Sequence, residues 1–308
     1  MGRRCSHDEA GAARISAVRA CGAGDVRIPR MTSPAVVDSI EFELKNLDAI
    51  QPFGGWSDPK LTWFGMTDGY LRWHLGDQTL YEYTAEARDQ WGPMPPYAVG
   101  PPYSDYYLWR FLADLTELFG AIREPVPGEL FPLTEDPTAV RQAARWWLDA
   151  REVRPTRDFE ECFDDVVCAE SWISARLLDA GHLRGGPNIW FFRRGDTLRI
   201  VWDTEAVLDD GQPIWTARSG NLTVGFDDFV REIETFGDSF FRAMDAQVEA
   251  ALRKNWGPIN VDLPGLIDDH ASRKAEFATA LALLQEAPDE PTDWAELEES
   301  YRRMGTVG

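Results

Sequence analysis

Apolar and polar residues alternate in several short segments of the first third of the chain, which is the pattern of half-buried β-strands. Ile40–Leu44 is the first such segment. The dipeptides Asp68-Gly69 and Gly76-Asp77, which favour tight turns, separate three further segments. The sequence therefore predicts a three-stranded antiparallel meander over residues 61–65, 70–75 and 79–83.

A second group of strands is predicted in the middle of the chain. Asn188–Arg193 and Thr197–Asp203 form a hairpin around Gly195-Asp196, and Pro213–Ala217 is expected to supply the third strand. This group is the second antiparallel meander.

Apolar residues three and four positions apart predict about six helices. Ser104 stands where an N-cap residue would start the first of them. Gly237 is expected to bend the long helix that starts at Phe226. The predicted helices begin near residues 104, 137, 158, 226, 263 and 292.

The two meanders resemble each other. Without gaps, residues 61–77 align with residues 188–204. The aligned identities are Trp63/Trp190, Phe64/Phe191, Leu71/Leu198 and Arg72/Arg199. Either a duplicated meander-plus-helix unit or chance strand composition accounts for the match. The predicted fold class is α+β, with two antiparallel β-meanders packed with about six helices.

Charge and hydrophobic pattern together suggest three regions. Residues 1–30 carry six Arg against three acidic residues and lack the continuous apolar core of a secretory signal. We expect them to be a disordered or mis-annotated extension, with Met31 as the functional start. Residues 31–260 are predicted to form a single α+β domain with two similar halves. Residues 261–308 are predicted to be C-terminal helices docked on that domain.

The net charge of −21 limits the possible partners. A protein that binds nucleic acid needs cations to neutralise phosphates, and an anionic membrane repels an acidic surface. We therefore expect neither partner. A strongly acidic surface instead favours solubility and fast association with a basic protein partner. The oligomeric state stays open.

No motif indicates a metal, a cofactor or a nucleophile. Cys162 and Cys168 stand six residues apart on one predicted helix and face different directions, which is typical of a reduced, cytoplasmic protein. His74, His182 and His270 have no metal-ligand spacing. We expect no cofactor and no metal site. Should these histidines cluster with acidic residues around an open cavity, a catalytic account would replace this one.

Several segments carry a resemblance to a known family. These are Ile50–Gly55, Leu61–Gly69, Ser104–Tyr107, Gly186–Trp190, Ile200–Asp203 and Trp215–Gly220. They resemble a bacterial family, common in actinomycetes, that is described as domain of unknown function 5984. The resemblance covers roughly residues 40 to 250. It implies no reaction, cofactor or catalytic residue.

The best candidates for a binding site are aromatic and acidic side chains at or near the ends of predicted strands. Indole rings beside carboxylates suit sugars or cationic groups, and paired carboxylates suit acid–base chemistry. The thirteen Trp of the chain are more simply explained as core residues, and Asp68 as the first residue of a turn. Asp105, Asp227 and Asp228 are predicted to begin helices. The candidate residues are Trp63, Asp68, Arg72, Trp202, Asp203 and Trp215.

Two functions remain open from the sequence. The first is a non-enzymatic cytoplasmic protein, immunity-like or inhibitor-like, that binds a basic protein. The alternative is a small-molecule enzyme, such as a hydrolase, that uses carboxylates in an aromatic-lined pocket. Two carboxylates that converge in a deep aromatic pocket would favour the enzyme. A shallow acidic face over a filled interior would favour binding.

Overall fold

The computed structural model describes residues 39–54, 58–91, 100–152, 159–288 and 291–305. Ten β-strands and eight α-helices make up the regular structure within these ranges. This confirms the predicted α+β class. The predicted extension over residues 1–30, the proposed start at Met31 and the helix start near residue 158 lie outside the described residues.

Strand β3 (Asp68–Leu75) is the centre of the first sheet, and all its neighbours run antiparallel to it. β1 (Ile40–Leu44) pairs with one edge. β4 (Gln78–Leu80) and β5 (Ser104–Tyr107) share the other edge. The hairpin from β3 to β4 turns at Gly76, whose φ of +62° is the left-handed conformation expected of glycine in a tight turn.

The predicted strand over residues 61–65 is shorter than expected. β2 (Lys60–Leu61) pairs in parallel with β10 (Asn260–Val261). The chain then enters a 3₁₀ turn at Gly65–Thr67. The Thr62 hydroxyl accepts a hydrogen bond from the Gly65 N–H at 3.1 Å, and this local bond favours a turn over a continued strand.

The second sheet follows the order of the chain. Its strands are β6 (Leu177–Asp179), β7 (Asn188–Arg194), β8 (Thr197–Asp203) and β9 (Gly220–Gly225), each antiparallel to the next. The hairpin of β7 and β8 is the one that the sequence predicts.

The third strand predicted over residues 213–217 is wrong, because β9 occupies the place beside β8. Residues 213–217 instead connect the two halves through their backbone. Thr84 N–H donates to the Ile214 carbonyl at 2.9 Å, and Thr216 N–H donates to the Glu82 carbonyl at 2.9 Å.

All six predicted helices are present in the described residues. The helix predicted from Ser104 begins instead at Leu108, because Ser104–Tyr107 pairs with β3. The helices are α1 (Ala85–Trp91), α2 (Leu108–Glu117), α3 (Phe119–Ile122), α4 (Pro137–Glu152), α5 (Phe159–Ser174), α6 (Phe226–Arg253), α7 (Leu263–Leu283) and α8 (Trp294–Arg303).

The alignment of the two halves matches elements only over its second part. It pairs β3 with β8, and both are strands. It also pairs β7 with residues 61–67, which contain only the end of β2 and the 3₁₀ turn. A duplicated unit therefore stays a prediction.

The main hydrophobic core lies between the two sheets and α6. Trp73 of β3 stacks on Phe191 of β7 with ring centroids 6.0 Å apart, and Phe229 of α6 packs on the same Phe191 ring. A second cluster, formed with α5 and α8, covers the other face of β7 at Trp190 and Phe192. Because both faces of β7 are buried, its sequence is a continuous apolar run rather than an alternating one.

Gly237 lies where α6 contacts α7. A Cβ atom added there would stand 2.2 Å from the Phe277 ring, so the close approach of the two helices requires glycine at this position. The expected bend at Gly237 stays a prediction, and α6 continues through this residue as one helix.

Candidate functional site

One face of the first sheet is polar along its whole width. Every second residue of β3, starting from Asp68, is half-buried, whereas the residues between them are buried. Directly opposite residues on antiparallel strands share a face. Glu43 of β1 and Asp105 of β5 both lie opposite Tyr70, and Tyr107 lies opposite Asp68. The register therefore brings acidic and tyrosine side chains together.

Lys45 joins the ends of these three strands. Its Nζ donates to Asp105 in a short hydrogen bond and lies 3.1 Å from the Asp68 carboxylate. Its backbone N–H donates to the Asp68 carbonyl at 2.9 Å. Burial lowers the pKa of Lys45, but the hydrogen bond to Asp105 and the charges of both carboxylates outweigh it and raise that pKa. Lys45 is thus held as a cation.

Asp105 has one carboxylate oxygen without a partner. Its side chain is 5% exposed, and Oδ2 accepts a hydrogen bond from no donor group of the residues that the structure describes. Burial raises the pKa of Asp105 to about 6, and Lys45 opposes that rise. The neighbouring Asp68 carboxylate adds to the rise through its charge and through the proton that the two carboxyl groups can share. A buried, largely ionised oxygen of this kind is a strong acceptor for a donor supplied by a ligand.

An open cleft of about 540 Å³ lies over this cluster, a volume typical of small-molecule sites. Burial, followed by the charge of Asp105, raises the pKa of Tyr70, and burial followed by the charge of Asp68 raises the pKa of Tyr107. Both phenols therefore stay protonated and neutral. The cleft is lined by Glu43, Leu44, Lys45, Asn46, Ala49, Gln51, Asp68, Tyr70, Asp105, Tyr106 and Tyr107.

Two contacts hold the strands of the cleft in place. The Gln247 side chain of α6 donates to the Lys45 carbonyl at 2.9 Å. At Gly69, an added Cβ would stand 2.5 Å from the Glu43 carbonyl, so β1 and β3 can approach only with glycine there. The predicted tight turn at Asp68-Gly69 is therefore wrong, because both residues belong to β3.

The three candidate tryptophans are core residues and do not form one site. Each is at most 5% exposed and each indole N–H has a partner. Trp63 donates to His270 Nδ1 at 3.1 Å, Trp202 to the Arg218 carbonyl at 2.7 Å, and Trp215 to the Gly185 carbonyl at 2.6 Å. Because the three indole rings are buried and their N–H groups bond within the protein, these tryptophans offer no exposed surface to a ligand.

The other candidates are divided between two places. Asp68 is part of the cleft. Arg72 lies on the same face of β3, where it pairs with Glu41 and covers the Tyr103 ring at 4.8 Å. Asp203 lies on the second sheet and accepts a hydrogen bond from the Glu205 N–H at 3.0 Å. Only Asp68 belongs to the site.

The three histidines lie apart from one another. His270 Nε2 is 2.7 Å from Asp245, and because its Nδ1 accepts from Trp63, Nε2 carries the proton. His182 packs on the Tyr106 ring, and His74 bonds to a neighbouring threonine. In the described residues no three side chains of His, Cys, Asp or Glu are arranged to hold a metal ion.

Sequence reasoning missed the two central residues of the site. Asp105 is not the first acidic residue of a helix but a strand residue that faces the cleft. No sequence pattern indicates a role for Lys45, although it is one of only four lysines. Its partners stand 23 and 60 residues away, so no spacing rule indicates them.

The fold and this site define an α+β protein with an acidic, tyrosine-lined cleft on one sheet. None of the described helices has the length and apolar composition to span a bilayer. The chain belongs to the Family of unknown function (DUF5984), whose model matches residues 39–300. No curated protein and no solved structure matches the chain.

Proposed function

We propose that the protein is a non-enzymatic binding protein whose cleft takes a cationic group with N–H donors, such as an ammonium or a guanidinium. The observation that carries this proposal is the buried Oδ2 of Asp105, which has no partner in the described part of the chain. A buried carboxylate oxygen gains most from a charged donor, because such hydrogen bonds are about twice as strong as neutral ones.

The surroundings of Asp105 favour a cation over a neutral ligand. Among the described residues, the lining of the cleft holds three carboxylates, those of Glu43, Asp68 and Asp105, and one ammonium, that of Lys45. The Lys45 ammonium already lies over the Tyr70 ring, 5.5 Å from its centroid, so an aromatic ring of this lining accommodates a cation. The net charge of −21 raises the local concentration of cations around the whole protein.

The cationic group has two possible sources. It can belong to a free small amine or guanidine, or to a Lys or Arg side chain of a basic protein partner. The second source corresponds to an immunity-like or inhibitor-like role, and the acidic surface supports it. We further propose that the protein acts in a bacterial cytoplasm, a reducing compartment in which the free Cys162 and Cys168 would persist.

Removing the charge of Asp105 tests the proposal. We expect Asp105→Asn to weaken the binding of small amines and guanidines by about 10-fold to 100-fold, the range for loss of a charged hydrogen bond. In the wild type, affinity should rise as the pH increases through about 6, because Asp105 then loses its proton. The variant should lack this pH dependence. Isothermal titration calorimetry at several pH values measures both effects.

The matched control is Asp203→Asn, which removes a carboxylate from the second sheet and should leave affinity unchanged. Peptides that contain Lys and Arg, titrated beside the free amines, distinguish the two sources of the cation. Affinity for peptides alone would indicate a protein partner. Equal binding by wild type and Asp105→Asn, or no binding of either class at low salt, would contradict the proposal.

A second candidate function is a small-molecule hydrolase, and the raised pKa of Asp105 favours it. A carboxyl group with a pKa of about 6 can both donate and accept a proton near neutral pH. Asp105 would then be the acid–base group and Asp68 the second carboxylate. Chromogenic glycosides and esters test this role. Turnover that Asp105→Asn abolishes and Asp203→Asn retains would replace the binding account, whereas no turnover with either substrate class would reject the hydrolase.

A further inference from the structure

Tyr81 has an unusual backbone conformation. Its φ is +66°, and in the described residues it is the one non-glycine residue with a positive φ. Residues other than glycine adopt a positive φ only at an energetic cost. Such backbone strain is commonly found at functional sites. The Tyr81 carbonyl accepts from the Ser104 N–H at 2.7 Å, so the backbone is fixed against β5.

The Tyr81 side chain is fully enclosed. Its ring packs edge-on against Phe111 at 5.7 Å and against Trp215 at 6.3 Å. Its hydroxyl is buried and has no hydrogen-bond partner among the described residues. Burial raises the pKa of Tyr81, and the negative charge of Asp114 adds to the rise. The hydroxyl therefore keeps its proton and needs an acceptor.

Tyr81 lines a small cavity between β5, α2 and β6. About 20 Å³ is available to the centre of a water molecule, which suffices for one water. Most of the wall is apolar. The polar side chains of the wall include Tyr81, Asp114 and His182. Asp114 is held by Arg110, whose Nε donates to it at 2.7 Å.

We infer that this cavity is a binding site for a single ordered water molecule that bridges the Tyr81 hydroxyl and the Asp114 carboxylate. The water accepts a hydrogen bond from Tyr81 and donates one to Asp114. A water is the ligand that fits, because the space is too small for an organic molecule and the two groups require one acceptor and one donor. The site adjoins the acidic cleft but does not include Lys45, Asp68 or Asp105.

The position of the water gives it a structural role for the cleft. Tyr106 and Tyr107 of β5 line both the cavity and the cleft. The water thus supports β5 from behind, on the strand that carries Asp105.

Two measurements test the site. A high-resolution crystal structure of the full chain should show a water within about 3 Å of both the Tyr81 hydroxyl and the Asp114 carboxylate. Tyr81→Phe should lower the urea midpoint of unfolding, because the water then loses one of its partners. Tyr103→Phe, on a half-buried tyrosine elsewhere, controls for the general effect of removing a hydroxyl and should shift the midpoint less.

A cavity without a bound water predicts different results. If the cavity is dry, the Tyr81 hydroxyl is an unsatisfied group, and its removal leaves the midpoint unchanged or raises it. Either of these midpoints, or a crystal structure with no density between Tyr81 and Asp114, would overturn the inference. The crystal structure decides alone if Tyr81→Phe fails to fold.

Discussion

Replacing Lys45 with methionine is expected to destabilise the fold by about 3 kcal/mol at pH 8, the lower end of the range for breaking a buried ion pair. The side chains of Lys45 and Asp105 are 16% and 5% exposed, so solvent screens their contact little. Without the ammonium, Asp68 and Asp105 would face each other as two uncompensated negative charges.

The loss of stability in Lys45→Met should be larger at high pH than at low pH. The folded-state pKa of Asp105, about 6, lies above its ordinary value, so the folded protein binds this proton more tightly than the unfolded chain does. The contribution of Asp105 to stability is therefore greatest at low pH and decreases as the pH rises through 6. Lys45→Met raises this pKa further, so the variant should lose much less stability at pH 5 than at pH 8.

Urea denaturation at both pH values measures this effect. Lys60→Met is the matched control, because Lys60 pairs with Asp58 at 2.7 Å but both side chains are more than half exposed. Exposed pairs contribute at most about 1 kcal/mol, so the control should change little at either pH. A small loss in Lys45→Met, or a loss that does not vary with pH, would show that the cluster lacks the proposed electrostatic coupling.

A comparable loss, about 3 kcal/mol, is expected for Glu124→Gln, which leaves the charge of Arg176 buried without its counter-ion. The Arg176 side chain is 1% exposed, and its Nη2 donates to Glu124 at 3.2 Å. Burial lowers the pKa of Arg176 to about 10 even though Glu124 opposes the shift. The glutamine keeps the shape of the side chain but removes its charge.

Glu124 also attaches the C-terminal segment that leads into α8. It accepts from the Thr292 N–H at 2.7 Å, from the Thr292 hydroxyl at 2.6 Å and from the Trp294 indole at 3.0 Å. We therefore expect amide hydrogen exchange in α8 to accelerate more in Glu124→Gln than exchange in the second sheet.

The control for this variant is Glu299→Gln, an exposed residue of α8 that pairs with Arg302. It should change neither stability nor exchange appreciably. If Glu124→Gln were as mild as this control, the ion pair would not be what holds the segment.

The parts of the fold that the sequence predicted are those with a strong local period. The Gly195-Asp196 turn between two apolar runs predicts the hairpin of β7 and β8, helical spacing predicts α6, and the structure contains both. Ser104–Tyr107 was misassigned because a serine and an aspartate before an apolar helical run are also the pattern of an N-cap. Pairing with β3 over a long sequence distance decides its conformation, and local propensity does not report such pairing.

The site was harder to predict than the fold. Tryptophans near strand ends suggested a platform, but Trp63, Trp202 and Trp215 satisfy their N–H groups inside the core. The sequence pattern indicates Asp68 as a candidate, but it indicates neither Lys45 nor Asp105 as its partner. The cleft exists because the register of three strands brings these residues to one face, and register depends on tertiary contacts.

The most direct test of the cation-binding cleft is a structure of the full chain with a bound diamine or guanidine. We expect a ligand nitrogen at hydrogen-bond distance, about 3 Å, from Oδ2 of Asp105, with the cation beside the Tyr70 and Tyr107 rings. A ligand that binds elsewhere, or a cleft that stays without ligand at saturating concentration, would contradict it.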